Sequence, residues 1–224
     1  MSPSVKRPLF AAILCAAAIA PLAAAAYAWG PAKSLDLHVM LHLDREAGAI
    51  HRVASVLVNL GDLAALLILG AIVVAIGLRF GRRREVVAAL VLVAGANLTT
   101  QLLKVALEHA RHKAWEHGIE LPWANSFPSG HTTAAASIAV ALLFVVPARH
   151  RLAASLAGML LTAAVGISVV VLVWHYPSDV LGGLLVVASW AFATLAALRF
   201  RADRERVAEG AKKDPRRHLI VSTE

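Results

Sequence analysis

The stretch NSFPSGHTTAAASIAVALLFVV, residues 125–146, joins a polar motif directly to an apolar run. Pro128 and Ser129 suit the start of a helix, and Gly130 lets the backbone approach a ligand closely. The apolar part, from about Thr132 to Val146, is short for a membrane span, which needs roughly 20 helical residues. The stretch therefore predicts a membrane helix that begins near Ser129 and carries a polar site at its N-terminus.

The composition of the whole chain is that of an integral membrane protein. Of 224 residues, 59% are hydrophobic and 16% are charged, whereas a soluble domain has about 45–50% apolar and about 25% charged residues. The net charge of +8 comes from basic residues that flank apolar runs, which predicts membrane topology and no nucleic-acid partner. The single Cys15 excludes an intrachain disulfide and a cysteine-based metal site.

Six apolar segments predict an all-α, six-transmembrane-helix bundle, at about residues 9–28, 56–78, 86–107, 132–146, 152–174 and 180–198. The first segment is either a cleaved signal peptide or a retained anchor, and its length favours an anchor. Three parts of the chain follow from this pattern. Residues 1–55 hold the first transmembrane helix and an outer interfacial segment, residues 56–198 form a core of five transmembrane helices, and residues 199–224 form a basic cytoplasmic tail with a disordered end.

The distribution of basic residues predicts the orientation in the membrane. With a cytoplasmic N-terminus, six spans place most of the 22 Lys and Arg residues on the inner side. The protein is then a multi-pass protein of the inner membrane with both termini in the cytoplasm. On the outer side, Leu35, Val39, Leu43 and Ile50 form one apolar stripe, which predicts a helix lying on the membrane surface.

Polar residues inside or at the edge of these segments are costly and call for an explanation. One group on the third segment recurs at spacings of three and four residues, which places it on one helix face. Snorkelling of Lys104 and Arg111 to lipid head groups is the alternative explanation. The members of this polar stripe are Asn97, Gln101, Lys104, Glu108 and Arg111.

Two histidines accompany the polar stripe at the predicted outer boundary. His131 follows a helix start whose unpaired N–H groups can bind an anion, and it could donate a proton. His175 precedes Asp179 by four residues, and a carboxylate bound to one imidazole nitrogen leaves the other nitrogen as nucleophile or base. A chance histidine beside a helix cap is the alternative for each. Together the three clusters supply cationic groups, a nucleophile and a general acid, as phosphoryl transfer requires.

At these residues the chain resembles the type 2 phosphatidic acid phosphatase superfamily. That family has the patterns Lys-x6-Arg-Pro, Pro-Ser-Gly-His and Ser-Arg-x5-His-x3-Asp. Lys104 and Arg111 match the first pattern, and residues 128–131 match the second in full. Ser168, His175 and Asp179 match the third at the family's spacing.

The resemblance implies a lipid phosphatase, and the predicted topology places its active site on the periplasmic side. His175 would attack phosphorus and form a phosphohistidine, Asp179 would hold His175, and His131 would protonate the leaving oxygen. The phosphate-binding set would be Lys104, Arg111, Ser129, Gly130 and Ser168. The resemblance implies no metal and no cofactor. The partners would be membrane lipids and a lipid phosphate substrate, with polyprenyl diphosphate, phosphatidate and phosphatidylglycerol phosphate as candidates.

Two positions depart from the family pattern. His112 replaces a proline, and Val169 replaces an arginine that contacts the phosphate. Loss of a charged contact weakens phosphate binding, which leaves three interpretations open. Either the site uses a different phosphate geometry, or another cation substitutes, or the protein is a catalytically silent lipid-phosphate-binding protein. The candidate substitutes are Arg45, Arg52, His112 and Lys113. A transporter is disfavoured because the inner halves of the spans carry almost no polar residue.

Overall fold

The computed structural model describes residues 1–46, 48, 50–107 and 125–212. These residues form helices and no strand, which confirms the all-α prediction. The helices are α1 Pro3–Ala28, α2 Gly30–Glu46, α3 Ile50–Leu57, α4 Leu63–Arg79, α5 Arg83–Leu107, α6 Gly130–Val145, α7 Arg151–Val171 and α8 Pro177–Lys212. Two 3₁₀ turns, Val58–Gly61 and Ala148–His150, precede α4 and α7. Glu108, Arg111, His112, Lys113 and residues 213–224 lie outside the described residues.

The protein is a multi-pass membrane protein. Within the described ranges, four helices are long and apolar enough to cross a membrane, namely α1, α5, α7 with its preceding turn, and α8. The bent pair of Ile50–Gly61 and Leu63–Arg79 makes a fifth span if it is counted as one. Helix α6 is apolar but has 16 residues, fewer than the roughly 20 that a full span needs. The count of six spans therefore stays a prediction.

The second apolar segment differs from the continuous run predicted over residues 56–78. The chain bends by 58° between the part ending at Gly61 and the part starting at Leu63. Asp62 occupies the N-cap position of α4 with extended backbone angles. Gly61 allows this bend to touch α6, because a Cβ there would lie 2.7 Å from the Cβ of His131. Close packing of the break against α6 is thus possible only without a side chain at residue 61.

Helix α6 lies at the centre of the bundle and contacts α4, α5, α7 and α8. Its buried residues are mostly alanine, serine and threonine, which let neighbouring helices approach closely. Gly182 and Gly183 extend this close contact to α8. A Cβ on Gly183 would lie 2.9 Å from the carbonyl oxygen of Ser129. Helix α1 packs along the length of α8.

Helix α2 presents apolar residues on two faces. Met40 is buried against the end of α7, and Leu37 and Leu41 pack beside it. Leu35 and Leu43 of the predicted surface stripe are exposed on the molecule. The helix therefore has one apolar face for the protein core and a second that suits contact with lipid.

Basic residues gather at the end of the bundle where α5 begins. Arg84 forms a 2.7 Å ion pair with Glu205 of α8, and Arg199 donates to the carbonyl of Ser4 over 2.9 Å. The guanidinium of Arg149 lies 6.0 Å from the centre of the Phe80 ring. Lys104 is 20 residues after Arg84 on the same helix, which is roughly 30 Å away. The cluster of arginines and the site residue Lys104 thus lie at opposite ends of the bundle.

Candidate active site

The start of α6 is a capped helix N-terminus that is tied to α8. Ser129 is the N-cap, and its Oγ accepts from Thr132 N at 3.4 Å and from Thr132 Oγ1 at 3.0 Å. The N–H of Ser129 donates to the carbonyl oxygen of Asp179 over 2.9 Å. The helix begins at Gly130 as predicted, so its first N–H groups face the same end of the bundle as Asp179.

His175 and Asp179 form a fully buried pair. The His175 Nδ1 lies 3.2 Å from Asp179 Oδ2, and both side chains are 0% exposed. The same oxygen accepts from the N–H of Tyr176 at 2.8 Å and from the hydroxyl of Ser126. Because the carboxylate accepts a proton-bearing Nδ1, the lone pair of the neutral ring lies on Nε2. The residue spacing predicted this pair, whereas Ser126 was not predicted.

The turn that carries His175 has a strained backbone. Val173 N donates to Val170 O and Trp174 N donates to Val169 O, both at 2.9 Å, which is the Schellman pattern of a helix C-terminus. Val173 occupies the left-handed position of this motif with φ of 58°, where glycine is usual and a β-branched residue costs roughly 1–2 kcal/mol. Packing of the turn against α2 and α3 holds Val173 in place.

Val169, which replaces the family's arginine, is buried in an apolar cluster. It is 0% exposed, and its buried neighbours there are Met40, Ala54, Val58 and residues 170–173. Arg45 and Arg52, two of the candidate substitutes, are exposed on α2 and α3. His112 and Lys113 lie outside the described residues. Within the described part of the chain, no cation is therefore shown in the place of the missing guanidinium.

His131 lies next to His175 and has a carboxylate partner of its own. The two imidazole rings are 6.4 Å apart between centroids, and Trp174 lies 5.6 Å from His131. The His131 Nε2 is 3.0 Å from Oδ1 of Asp62. Asp62 was not predicted as a site residue. A carboxylate within the second apolar segment was the available sign, since charged residues are rare in membrane segments.

Lys104 reaches the loop that precedes the Phe127–His131 motif. Its Nζ donates to the carbonyl of Asn125 at 2.8 Å and to that of Ser126 at 3.2 Å. The Asn125 side chain returns a hydrogen bond to the Lys104 carbonyl over 2.8 Å. The structure thus brings Lys104 of the first motif next to the second motif. Arg111 lies outside the described residues.

Ser168 is buried on α7 and uses its hydroxyl within its own helix. Its Oγ donates to the carbonyl of Ala164 over 2.7 Å. Such a bond to the preceding turn is common for serine inside helices. The structure shows Ser168 packed below the turn that carries His175, with its proton already donated.

Asp36 fastens α2 to the start of α8. Its Oδ1 accepts from the N–H of Ser178 at 3.0 Å, and its Oδ2 accepts from the Ser178 hydroxyl. Burial raises the pKa of the Asp36 carboxyl above its usual range, the two bonds from Ser178 oppose this, and the nearby Asp179 adds to it. Asp36 was not predicted from the sequence, because its partner lies on another helix.

A cavity of about 670 Å³ lies beside His131, between α4, α5 and α6. Its polar lining includes Asp62, Asn97, Gln101, Lys104 and His131. Its apolar lining includes Leu63 and Leu98, which are 70% and 62% exposed on the lipid-facing surface. A groove of about 800 Å³ between α6, α7 and α8 is larger but almost wholly apolar, and its described lining contains no histidine and no charged side chain for phosphate chemistry.

Fold and site together define a multi-pass membrane protein with a histidine-centred site at one end of its helical bundle. A family model described as the PAP2 superfamily matches residues 85–203, more than half of the chain. The chain therefore belongs to the PAP2 superfamily, which confirms the resemblance stated above.

A solved structure has the same fold. It is described as the crystal structure of the first transmembrane PAP2 type phosphatidylglycerolphosphate phosphatase from Bacillus subtilis. The TM-score is 0.68 at 22% sequence identity, with 86% of this chain and 97% of that chain covered. No curated protein matches this sequence.

Proposed function

We propose that this protein hydrolyses a lipid phosphate or diphosphate at the outer face of the inner membrane through a phosphohistidine intermediate. One observation carries the proposal: His175 is held by buried Asp179 with its ring 6.4 Å from that of His131, at the N-terminus of α6. Nucleophile, general acid and anion-binding N–H groups are thereby close enough to act on one phosphoryl group. Membership of the PAP2 superfamily supports the same reaction.

Each side chain has one role in this reaction. Nε2 of His175 attacks phosphorus, Asp179 holds the ring through Nδ1, and His131 protonates the leaving oxygen. Lys104, Arg111, Ser129 and the Gly130 N–H bind the phosphoryl oxygens. Ser168 is left out of this set because its proton is donated to the Ala164 carbonyl.

The cavity beside His131 favours an amphiphilic substrate. Polar groups line its wall near Lys104, and exposed leucines of α4 and α5 line its lipid-facing side. A phosphate head group fits the polar wall, while its hydrocarbon tail leaves sideways between α4 and α5 into the bilayer. Polyprenyl diphosphate, phosphatidate and phosphatidylglycerol phosphate are the candidates. The last is the lipid in the description of the similar Bacillus subtilis structure.

Phosphate release from these three lipids by the purified protein in detergent tests the proposal. We expect release from at least one lipid, and we expect His175→Ala to abolish it, because the proposed mechanism uses His175 as the nucleophile. Removal of a covalent nucleophile lowers turnover by a factor on the order of 10⁶. Equal inactivity of wild type and His175→Ala on the whole panel would contradict the enzyme hypothesis.

The burial of Val169 favours a second candidate, a catalytically silent protein that binds lipid phosphates. Its neighbours in the buried cluster are apolar, so the family's guanidinium has no described substitute there. Val169→Arg separates the two functions, with Val165→Arg as a control at another fully buried position of α7. A large gain of activity from near zero in Val169→Arg alone supports the silent protein. We expect no gain, because the guanidinium would enter an apolar cluster.

A further inference from the structure

The side chain of Asp62 does not cap the helix that it precedes. It is the N-cap of α4 and makes no side-chain bond to the first turn of that helix. An aspartate at an N-cap ordinarily accepts such a bond and stabilises the helix by about 1 kcal/mol. Its carboxylate instead contacts His131, 69 residues further along the chain. The Asp62 carboxylate therefore contacts His131 instead of stabilising the first turn of α4.

The backbone around Asp62 is shaped for this contact. The 58° bend before α4 turns residue 62 toward α6, and Gly61 lets the bend approach the His131 backbone to distances that a Cβ would forbid. The Asp62 side chain is 49% exposed and that of His131 is 19% exposed. Both line the cavity that also contains Lys104, so the pair is within reach of a bound substrate.

A carboxylate on the wall of a phosphate cavity is unfavourable by itself, because it repels the anionic substrate. The contact of Asp62 with His131 offsets this repulsion if it positions the ring for catalysis. A carboxylate that binds one imidazole nitrogen orients the ring and fixes which nitrogen faces the substrate. The site therefore contains two histidine–carboxylate pairs: His175 with Asp179, fully buried, and His131 with Asp62, open to the cavity.

We propose that Asp62 is the positioning residue of the general acid: it binds the Nε2–H of His131 and thereby makes Nδ1 the atom that gives its proton to the leaving oxygen. This inference rests on the proposed function. In the first step, His175 Nε2 forms a bond to phosphorus, the bond from phosphorus to the leaving oxygen breaks, and the Nδ1 proton of His131 passes to that oxygen. In the second step, the oxygen of a water molecule forms a bond to phosphorus and gives one proton to His131 Nδ1, while the phosphorus–nitrogen bond breaks to release inorganic phosphate.

Two substrates with one tail test this role. Farnesyl phosphate releases an alcohol, which needs a proton, whereas farnesyl diphosphate releases farnesyl phosphate, a better leaving group that needs it less. General acid catalysis contributes about 10²–10⁴-fold. We expect Asp62→Asn to lower turnover of farnesyl phosphate about 10-fold or more, with a several-fold smaller loss on farnesyl diphosphate. Equal losses on both substrates, or no loss, would overturn the proposal.

Asp44→Asn is the matched control. Asp44 lies on α2, makes a 3.0 Å contact with His51 of α3, and is not part of the cavity lining. We expect it to leave both activities unchanged.

A second measurement needs no turnover and so separates this inference from the proposed function. In ¹⁵N-histidine NMR of the full-length protein, we expect Asp62→Asn to shift the Nε2 signal of His131, identified by its loss in His131→Gln. Asp44→Asn leaves that signal in place, and an unshifted signal in Asp62→Asn refutes the contact.

Discussion

At the scale of single residues, the site is built from carboxylates that hold other groups. Asp179 accepts hydrogen bonds from His175, from Ser126 and from the Tyr176 N–H. Asp36 collects two donors from Ser178, one residue earlier on α8. The first turn of α8 is therefore held from both sides by carboxyl groups, and that turn directly follows the nucleophile candidate His175. Stability of this turn and the geometry of the site depend on the same carboxylates.

Asp36 gives a prediction on pH dependence. Its folded pKa is raised above 3.8, mainly by burial, so the unfolded carboxyl loses its proton first as pH rises. The contribution of Asp36 to the free energy of unfolding is therefore full below 3.8 and falls as pH rises through the folded pKa. We expect Asp36→Asn to gain stability relative to wild type from pH 4 to pH 7, measured by thermal unfolding in detergent. A difference that is constant across this range contradicts the prediction.

Asp36→Ala serves as the comparison for that experiment. Alanine cannot accept the bond from the Ser178 N–H, whereas asparagine can. We expect the alanine variant to be less stable than the asparagine variant at every pH, by about 1 kcal/mol, the usual value of a helix cap.

At the scale of secondary-structure elements, two breaks in the helices create the site. The break before α4 brings Asp62 to His131, and the Schellman turn after α7 brings Trp174 and His175 to the start of α6. The first break is a 58° bend in which Asp62 has ordinary extended angles, whereas the second contains Val173 with a positive φ, which is a strained position. Strained positions of this kind persist where surrounding packing holds them, often at functional sites.

Gly61→Ala tests the first break. The new Cβ would lie 2.7 Å from His131 Cβ and 2.9 Å from His131 Cα, so the bend must move away from α6. We expect at least about a 10-fold loss of turnover, since a displacement near 1 Å can cost about 10² in rate, and a lower unfolding temperature. Gly70→Ala on α4 is the control, because its Cβ would meet only Ile138 Cδ1 at 3.8 Å. An unchanged rate in Gly61→Ala would show that the close approach is dispensable.

At the scale of the whole molecule, the bundle has two different ends. The site residues lie at the end where α6 begins, and the ion pair of Arg84 with Glu205 lies at the other end. In the predicted topology, the basic end faces the cytoplasm. Lys33 and Arg149 are exposed at opposite ends of the bundle, which makes them suitable reporters.

Single cysteines at these two positions test the orientation. In a Cys15→Ser background, we expect Lys33→Cys to react with a membrane-impermeant thiol reagent added outside spheroplasts. We expect Arg149→Cys to react only after the membrane is permeabilised. The reverse pattern would place the site on the cytoplasmic side and exclude hydrolysis at the outer face.

The sequence by itself determined the all-α membrane fold, the helix start at Ser129, the pairing of His175 with Asp179 and the family. These features depend on apolar composition, on residues that cap helices, and on spacings of three or four residues, all of which act locally. The tertiary structure decided which distant groups meet. Asp62 reaches His131, Ser126 reaches Asp179, and Asp36 reaches Ser178 only because helices far apart in the chain pack together. No local pattern encodes such contacts, since they depend on where each helix bends and which faces it buries.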